Sequence, residues 1–194
     1  TANPTAVLST CFRLEGPSCS VGGACASGAH AIGVSYDLIA GGASDIIAAG
    51  GCQEVNPAAT FAFDAIGTFS KSTIPKEAVK PFDKNRDGLV PSGGAACLIL
   101  AEMDWALEQN LQIYGEIVGY GANSSNHLSK SNLNAELECM QKALRDYSPN
   151  DVSVISAHAT GTVDGDLSEA GAILGLFDKC RPYISATKAL TGHE

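Results

Sequence analysis

The chain has 194 residues, with 12 Lys and Arg against 21 Asp and Glu for a formal net charge of −9, and is 45% hydrophobic with only 17% charged residues. That balance is too apolar for a disordered chain, and the length suits one domain of about 100–200 residues, so a packed core is expected. The basic cluster Lys71, Lys76, Lys80, Lys84 and Arg86 is interleaved with Glu77, Asp83 and Asp87. It reads as a solvated loop, and nucleic-acid binding is not expected, because phosphate neutralisation needs clustered, unopposed cations.

No stretch approaches the roughly 20 consecutive apolar residues of a membrane span, and the N-terminus lacks the order of a signal peptide. A soluble, cytoplasmic protein with no membrane span is expected. The seven cysteines, at 11, 19, 25, 52, 97, 139 and 180, are odd in number, widely spaced and mostly set among apolar neighbours. That pattern predicts reduced thiols buried as small hydrophobes rather than a disulfide framework. Without a CxxC pair, no structural zinc site is expected. The chain opens on Thr1 and stops at Thr191-Gly192-His193-Glu194, the pattern expected of a piece of something longer.

In chain order, residues 18–23 read as a strand and 26–41 as a helix of small residues ending in Gly41-Gly42. Residues 45–50 read as a second strand. Residues 69–94 form the longest irregular stretch, a loop rich in Lys, Pro, Asp and Gly, after which 95–101 and 113–120 read as strands. Residues 132–146 carry Leu133, Leu137, Met140 and Leu144 at helical spacing and stop before Pro149. Strands at 152–157 and 183–186 bracket a helix at about 166–178, with Ala170, Ile173, Leu174 and Phe177 expected inward. Nearly continuous apolar strands alternating with helices predict an α/β fold with a layered, largely buried sheet. Two related βα halves, 1–112 and 113–194, fit this order.

Three segments could carry chemistry. In Gly22-Gly-Ala-Cys25-Ala-Ser-Gly28 a strand runs into a helix, placing a thiol at a helix N-terminus, where the dipole and free N–H groups favour a thiolate and could hold an oxyanion. A buried Cys at a tight junction fits the same residues. Ala157-His158-Ala-Thr160-Gly-Thr162-Val-Asp-Gly165-Asp166 follows a strand and precedes a helix. His158 is a candidate donor or base and the two threonine hydroxyls could meet a polar ligand, while Asp166 and Glu169 have the spacing of a capping box. Ser185-Ala-Thr-Lys188-Ala-Leu-Thr-Gly192-His193 places a Lys and a His past another strand, with Glu169 the nearest counter-charge for Lys188 by topology. Asp83-Lys-Asn85-Arg-Asp87-Gly88 matches the opening of a calcium loop, but Gly94 stands at its twelfth position, so calcium is not expected. His30 and His127 read as structural.

Together these segments resemble the β-ketoacyl synthases, the condensing enzymes of fatty-acid and polyketide assembly. Gly16-Pro-Ser18 leading to Ala24-Cys25-Ala-Ser-Gly28 resembles the nucleophile segment, with Ala48-Ala-Gly-Gly51 as the strand after it. Pro81-Phe-Asp-Lys-Asn-Arg-Asp87-Gly88 is similar to the family's loop before its next strand. Ala157-His158-Ala-Thr-Gly-Thr162 with Gly165-Asp166 resembles the first histidine motif, and Thr187-Lys188-Ala-Leu-Thr-Gly-His193 the second. Ala159 departs from the family's usual Gly, and Ser92-Gly-Gly-Ala-Ala departs from a Gly-Asp-Gly-Ala-Gly run.

The resemblance implies a thiolase-like layered α-β-α-β-α fold, truncated here at both ends, and a homodimer. It implies that Cys25 takes an acyl chain as a thioester from an acyl carrier protein, while His158 and His193 promote decarboxylation of a malonyl thioester. Lys188 paired with Glu169 would hold the histidine geometry, Thr160 and Thr162 would contact the phosphopantetheine arm, and Phe63 aligns with an acyl-pocket residue or serves as core packing. No metal or other cofactor is implied. A second histidine points to the elongating, decarboxylating type, since initiating and chalcone-type relatives carry Asn there. A non-catalytic partner subunit resembling a chain-length factor and a degradative thiolase are the rival readings; the intact Cys25 disfavours the first, and need for malonyl decarboxylation separates the second.

Overall fold

The computed structural model describes residues 3–126 and 131–194; His127 lies outside the described residues. In chain order the elements are α1 (Pro4–Phe12), α2 (Ser27–Ala40), β1 (Ile46–Gln53), α3 (Pro57–Ala65), β2 (Gly94–Ala101), α4 (Met103–Glu108), α5 (Leu133–Leu144), β3 (Val154–Ser156), α6 (Val163–Phe177), β4 (Tyr183–Ser185) and α7 (Lys188–Thr191). The class is α/β, as expected. The chain divides into two compact units, one of residues 1–53 and 94–117, the other of residues 54–93 and 118–194.

In the first unit α1 was not anticipated, although its start is well signalled. Pro4 stands in the first turn, where its missing N–H is harmless, and the Asn3 side chain accepts from the Thr5 N–H. Residues 18–23 form no strand, correcting the expectation, and lead through a 3-10 turn at Ala24–Ala26 into α2. That helix ends as its glycines predict: Gly42 adopts φ +71°, and the Ala43 N–H reaches back to the Leu38 carbonyl. β1 and β2 pair antiparallel over their full length, Ile46 opposite Ala101 and Gln53 opposite Gly94. A Cβ on Gly51 would stand 3.3 Å from the Gly28 Cα, so glycine at both positions lets α2 lie close on β1. Sheet burial is less than expected: Leu98 and Ile99 of β2 are exposed. Residues 113–120 form no strand, because a strand, unlike a helix, needs a partner for its backbone bonds.

In the second unit β3 and β4 pair parallel, Val154 with Tyr183 and Ser156 with Ser185, and α6 is the crossover between them. Helices α5 and α6 stand close to their expected limits and pack on each other. Ile173 and Phe177 are buried as expected, but Leu174 is 64% exposed, correcting its inward assignment. It lies seven residues after the equally exposed Leu167, on a stripe about 100° round the helix from Ile173. Helix α3, inside a stretch with no helical expectation, starts on Pro57.

The cysteine expectation also needs correction. All seven are free thiols, but Cys11, Cys19, Cys25, Cys52 and Cys97 are exposed, and Cys139 and Cys180 half-buried. Cys52 and Cys97 belong to the β1–β2 pair, which exposes its Cys-bearing stretches. Burial pushes the Cys139 thiol up, and its Sγ lies 3.1 Å from the Gly121 carbonyl. No helix among the described residues is long and apolar enough to cross a membrane.

Candidate active site

Cys25 belongs to the first unit, at the middle of the 3-10 turn that opens α2. Ala24 before it adopts φ +49°, the left-handed region that L side chains seldom occupy, so the chain turns sharply just ahead of the thiol. Ser27 holds the turn: its Oγ accepts from the Gly23 N–H at 2.9 Å and donates to the Ala24 carbonyl at 2.7 Å. The N-cap residue Ala26 makes no side-chain capping bond, while the first N–H of α2, that of Ser27, donates to the Ala24 carbonyl. The thiol is exposed.

The other candidates, His158, His193, Lys188, Glu169, Thr160, Thr162 and Phe63, all belong to the second unit. His158 sits just past β3, where the Ala157 N–H extends the parallel ladder to the Ser185 carbonyl at 2.8 Å. Its backbone is held from α6: the His158 and Ala159 N–H groups donate to the two carboxylate oxygens of Glu169, at 2.6 and 2.7 Å. Ala159, where the family's usual residue is Gly, adopts φ +39° and is 1% exposed.

These bonds overturn the capping-box reading of Asp166 and Glu169. Helix α6 begins at Val163 with Thr162 as its N-cap, so both acids lie inside the helix and reach back to the preceding loop. Asp166, 2% exposed, accepts from the N–H groups of Gly161 (3.0 Å) and Phe82 (2.7 Å). The Glu169–Lys188 pairing also needs correction: among the described residues no ion pair joins them, and both Glu169 oxygens accept from backbone N–H groups.

His193 is 7% exposed and is fixed by residues 90–92, its N–H donating to the Val90 carbonyl at 2.8 Å and its carbonyl accepting from the Ser92 N–H at 2.7 Å. Gly192 before it has φ +78°, and a Cβ there would press on Ser92 Cβ at 2.8 Å, so this turn requires glycine. The His158 and His193 rings meet edge to face with centroids 5.4 Å apart, and the Phe63 ring lies 6.1 Å from His193 and stacks on Phe69 at 6.4 Å. His158 is exposed as a residue, yet the protein around it strips enough water to push its pKa down to about 4, with the Lys188 ammonium and His193 adding to the effect. Burial, then Lys188, pushes His193 down too. Both imidazoles are therefore neutral at pH 7, each able to donate one N–H or accept one proton.

The Thr160 and Thr162 hydroxyls lie 2.9 Å apart. Three consecutive residues of one strip tie this loop to the rest: the Gly88 N–H donates to the Gly161 carbonyl, the Leu89 N–H to the Thr68 carbonyl, and the Val90 carbonyl accepts from His193. Arg86, at the head of that strip, donates to the carbonyls of Thr162 and Val163 and stands 3.8 Å from Asp166. The sequence marks Arg86 as part of a basic loop expected to be solvated and of the Pro81–Gly88 family-like stretch, but not its partners, which lie 76 and 77 residues away. The carboxylates of the calcium-like stretch are likewise engaged by protein, Asp83 by the Asn85 N–H and Asp87 by the Lys71 N–H and then the Ser70 hydroxyl, bonds that hold Asp87 below the usual carboxylate range.

Comparison with known proteins gives two adjoining matches: the family described as beta-ketoacyl synthase, N-terminal domain, over residues 3–106, and its C-terminal domain over residues 114–194. The 3-oxoacyl-[acyl-carrier-protein] synthase 1 of Haemophilus influenzae is 38% identical over 193 residues, covering 97% of this chain and 47% of the relative. A crystal structure of a beta-ketoacyl synthase from Burkholderia phymatum superposes with a TM-score of 0.90 at 36% identity, over 97% of this chain and 47% of that one. A type II polyketide ketosynthase, solved in complex with its acyl carrier protein and bound to a hexaketide, superposes at 0.91 with 29% identity, over 97% of this chain and 49% of that one. The chain spans about half the length of the curated relatives it matches.

Proposed function

The chain belongs to the β-ketoacyl synthase family, and from that premise we propose that the protein it is part of catalyses decarboxylative Claisen condensation between an acyl group and a malonyl group, both carried by an acyl carrier protein. The observation that carries the reading is the pair of neutral imidazoles of His158 and His193, edge to face at 5.4 Å. In the proposed reaction the Cys25 sulfur attacks the acyl thioester and expels the carrier thiol. The malonyl thioester then loses carbon dioxide, its C–C bonding electrons forming an enolate whose oxygen needs hydrogen-bond donors. Two neutral imidazoles supply N–H groups there without a charge that would need screening. The enolate carbon attacks the acyl-enzyme carbonyl and expels the Cys25 thiolate. The exposed thiol at an uncapped helix N-terminus supports the first step.

In the same reading Thr160 and Thr162 meet the phosphopantetheine arm, Phe63 borders the acyl chain, and Lys188 acts on the histidines through its charge. The two family segments correspond to halves 1–112 and 113–194, and the protein works as a homodimer in the cytoplasm. The test is mass spectrometry of the intact protein after exposure to an acyl carrier protein thioester: acylation of the peptide holding Cys25 is expected, and its absence refutes the assignment. His193→Ala is expected to abolish malonyl decarboxylation. Condensation that proceeds without decarboxylation would favour a thiolase, and an intact protein inert alone but active with a partner subunit would favour the accessory role.

A further inference from the structure

Arg86 makes more contacts than a surface loop residue needs. Its side chain is 14% exposed. Nε donates to the Thr162 carbonyl at 3.0 Å, one terminal nitrogen to the Val163 carbonyl, and the other to the Asp83 carbonyl at 2.9 Å, with Asp166 3.8 Å from Nε. The Thr162 carbonyl already accepts from the Asp166 N–H at 3.2 Å as the first bond of α6, so the guanidinium is not rescuing an orphaned acceptor there. What its planar fork does is fix the first turn of α6, and with it the Thr162 backbone, against residues 83–88. The hydroxyl of Thr162 is the one that meets Thr160 at 2.9 Å. Gly165 leaves room for that pair, since a Cβ there would stand 2.5 Å from Thr162 Oγ1. In such a pair one hydroxyl spends its proton on the other, leaving the second free to donate to the carbonyl oxygen of a ligand amide.

From this geometry we propose that Arg86 is a positioning residue for the Thr160–Thr162 hydroxyl pair, holding it where the amide-bearing arm of the carrier-bound substrate is recognised. The inference rests on the function proposed above. A merely structural Arg86 would change stability alone; a positioning Arg86 changes substrate recognition.

The test compares wild type, Arg86→Lys, Thr162→Val and the double variant in the intact protein. Lys keeps a cation near Asp166, but its donors sit on one nitrogen and cannot reproduce bonds made from three separate nitrogens of the guanidinium. Arg86→Lys is expected to raise KM for the malonyl carrier thioester about tenfold, with kcat and the rate of Cys25 alkylation by iodoacetamide within about twofold of wild type. Thr162→Val should raise KM by a similar factor, and the double variant little further, because both remove the same placed hydroxyl. An unchanged KM in Arg86→Lys, or effects that multiply in the double variant, overturns the proposal whatever happens to Tm. Amide hydrogen exchange gives an activity-independent arm: Gly161 and Thr162 should exchange about tenfold faster in Arg86→Lys while His193 does not, and unchanged exchange again overturns it. If wild type fails to condense at all, the proposed function falls and the exchange arm alone decides the role of Arg86.

Discussion

The edge of one imidazole, His158 or His193, points at the face of the other across 5.4 Å, in a surrounding that disfavours a charge on either. Protonation would place a cation beside a second ring and within the field of Lys188. The folded-state pKa of His158, about 4, lies below its ordinary value of 6.5, so the unfolded chain takes up a proton first. Stability from this group is fully present above pH 6.5 and is lost as pH falls through the window down to about 4. Urea midpoints measured from pH 7.5 to pH 4 should fall across that window and fall less in His158→Gln. An identical pH dependence in the variant would remove His158 as the cause.

Glu169 holds two consecutive N–H groups, one on each oxygen. Glu169→Gln keeps one acceptor but turns an NH2 toward the other N–H, donor against donor. A loss of about 2 kcal/mol in unfolding free energy is expected, the scale of a charge-assisted bond replaced by a clash of donors. A loss below about 0.5 kcal/mol would show that the loop does not depend on the carboxylate.

Ala159 carries a Cβ at φ +39°. Relief of that strain by glycine is worth about 1 kcal/mol, nearly offset by the extra freedom glycine gives the unfolded chain. Ala159→Gly is therefore expected within about 0.5 kcal/mol of wild type. Ala172→Gly, at a fully buried site inside α6, should cost about 1 kcal/mol or more. Equal costs by urea denaturation would mean that the backbone at 159 is not strained.

Ser92, which departs from the family's usual residue, buries its hydroxyl oxygen without a hydrogen-bond partner among the described residues, next to the Pro91–His193 bridge. Ser92→Ala deletes that oxygen and keeps the Cβ in place. A gain of about 1 kcal/mol in stability is expected from denaturant titration, and a loss would mean that the hydroxyl is satisfied in solution.

The motifs around Cys25, His158 and His193 and the helices α5 and α6 were legible because each is written in neighbouring residues: apolar positions at helical spacing, stop residues, a short loop after a strand. The expected strands at 18–23 and 113–120 failed where those helices succeeded, since apolar content makes a segment eligible for a sheet but only a neighbouring strand makes it one. Leu174 and the exposed cysteines failed for a related reason: apolar character marks a wish for burial, while the cover itself comes from elsewhere in the chain.

Taken alone, the sequence determined the α/β class, the positions of the thiol and the two imidazoles, and the family. Only the tertiary structure decided that Asp166 and Glu169 hold loops instead of capping α6, that no ion pair joins Glu169 to Lys188 among the described residues, and that Arg86 is tied to the Thr160–Thr162 loop. Helix periodicity and capping are interactions over three or four residues and leave a local trace. The bonds from Phe82 to Asp166 and from Arg86 to Thr162 close loops of 84 and 76 residues, and nothing in the sequence near either end says where the other will be.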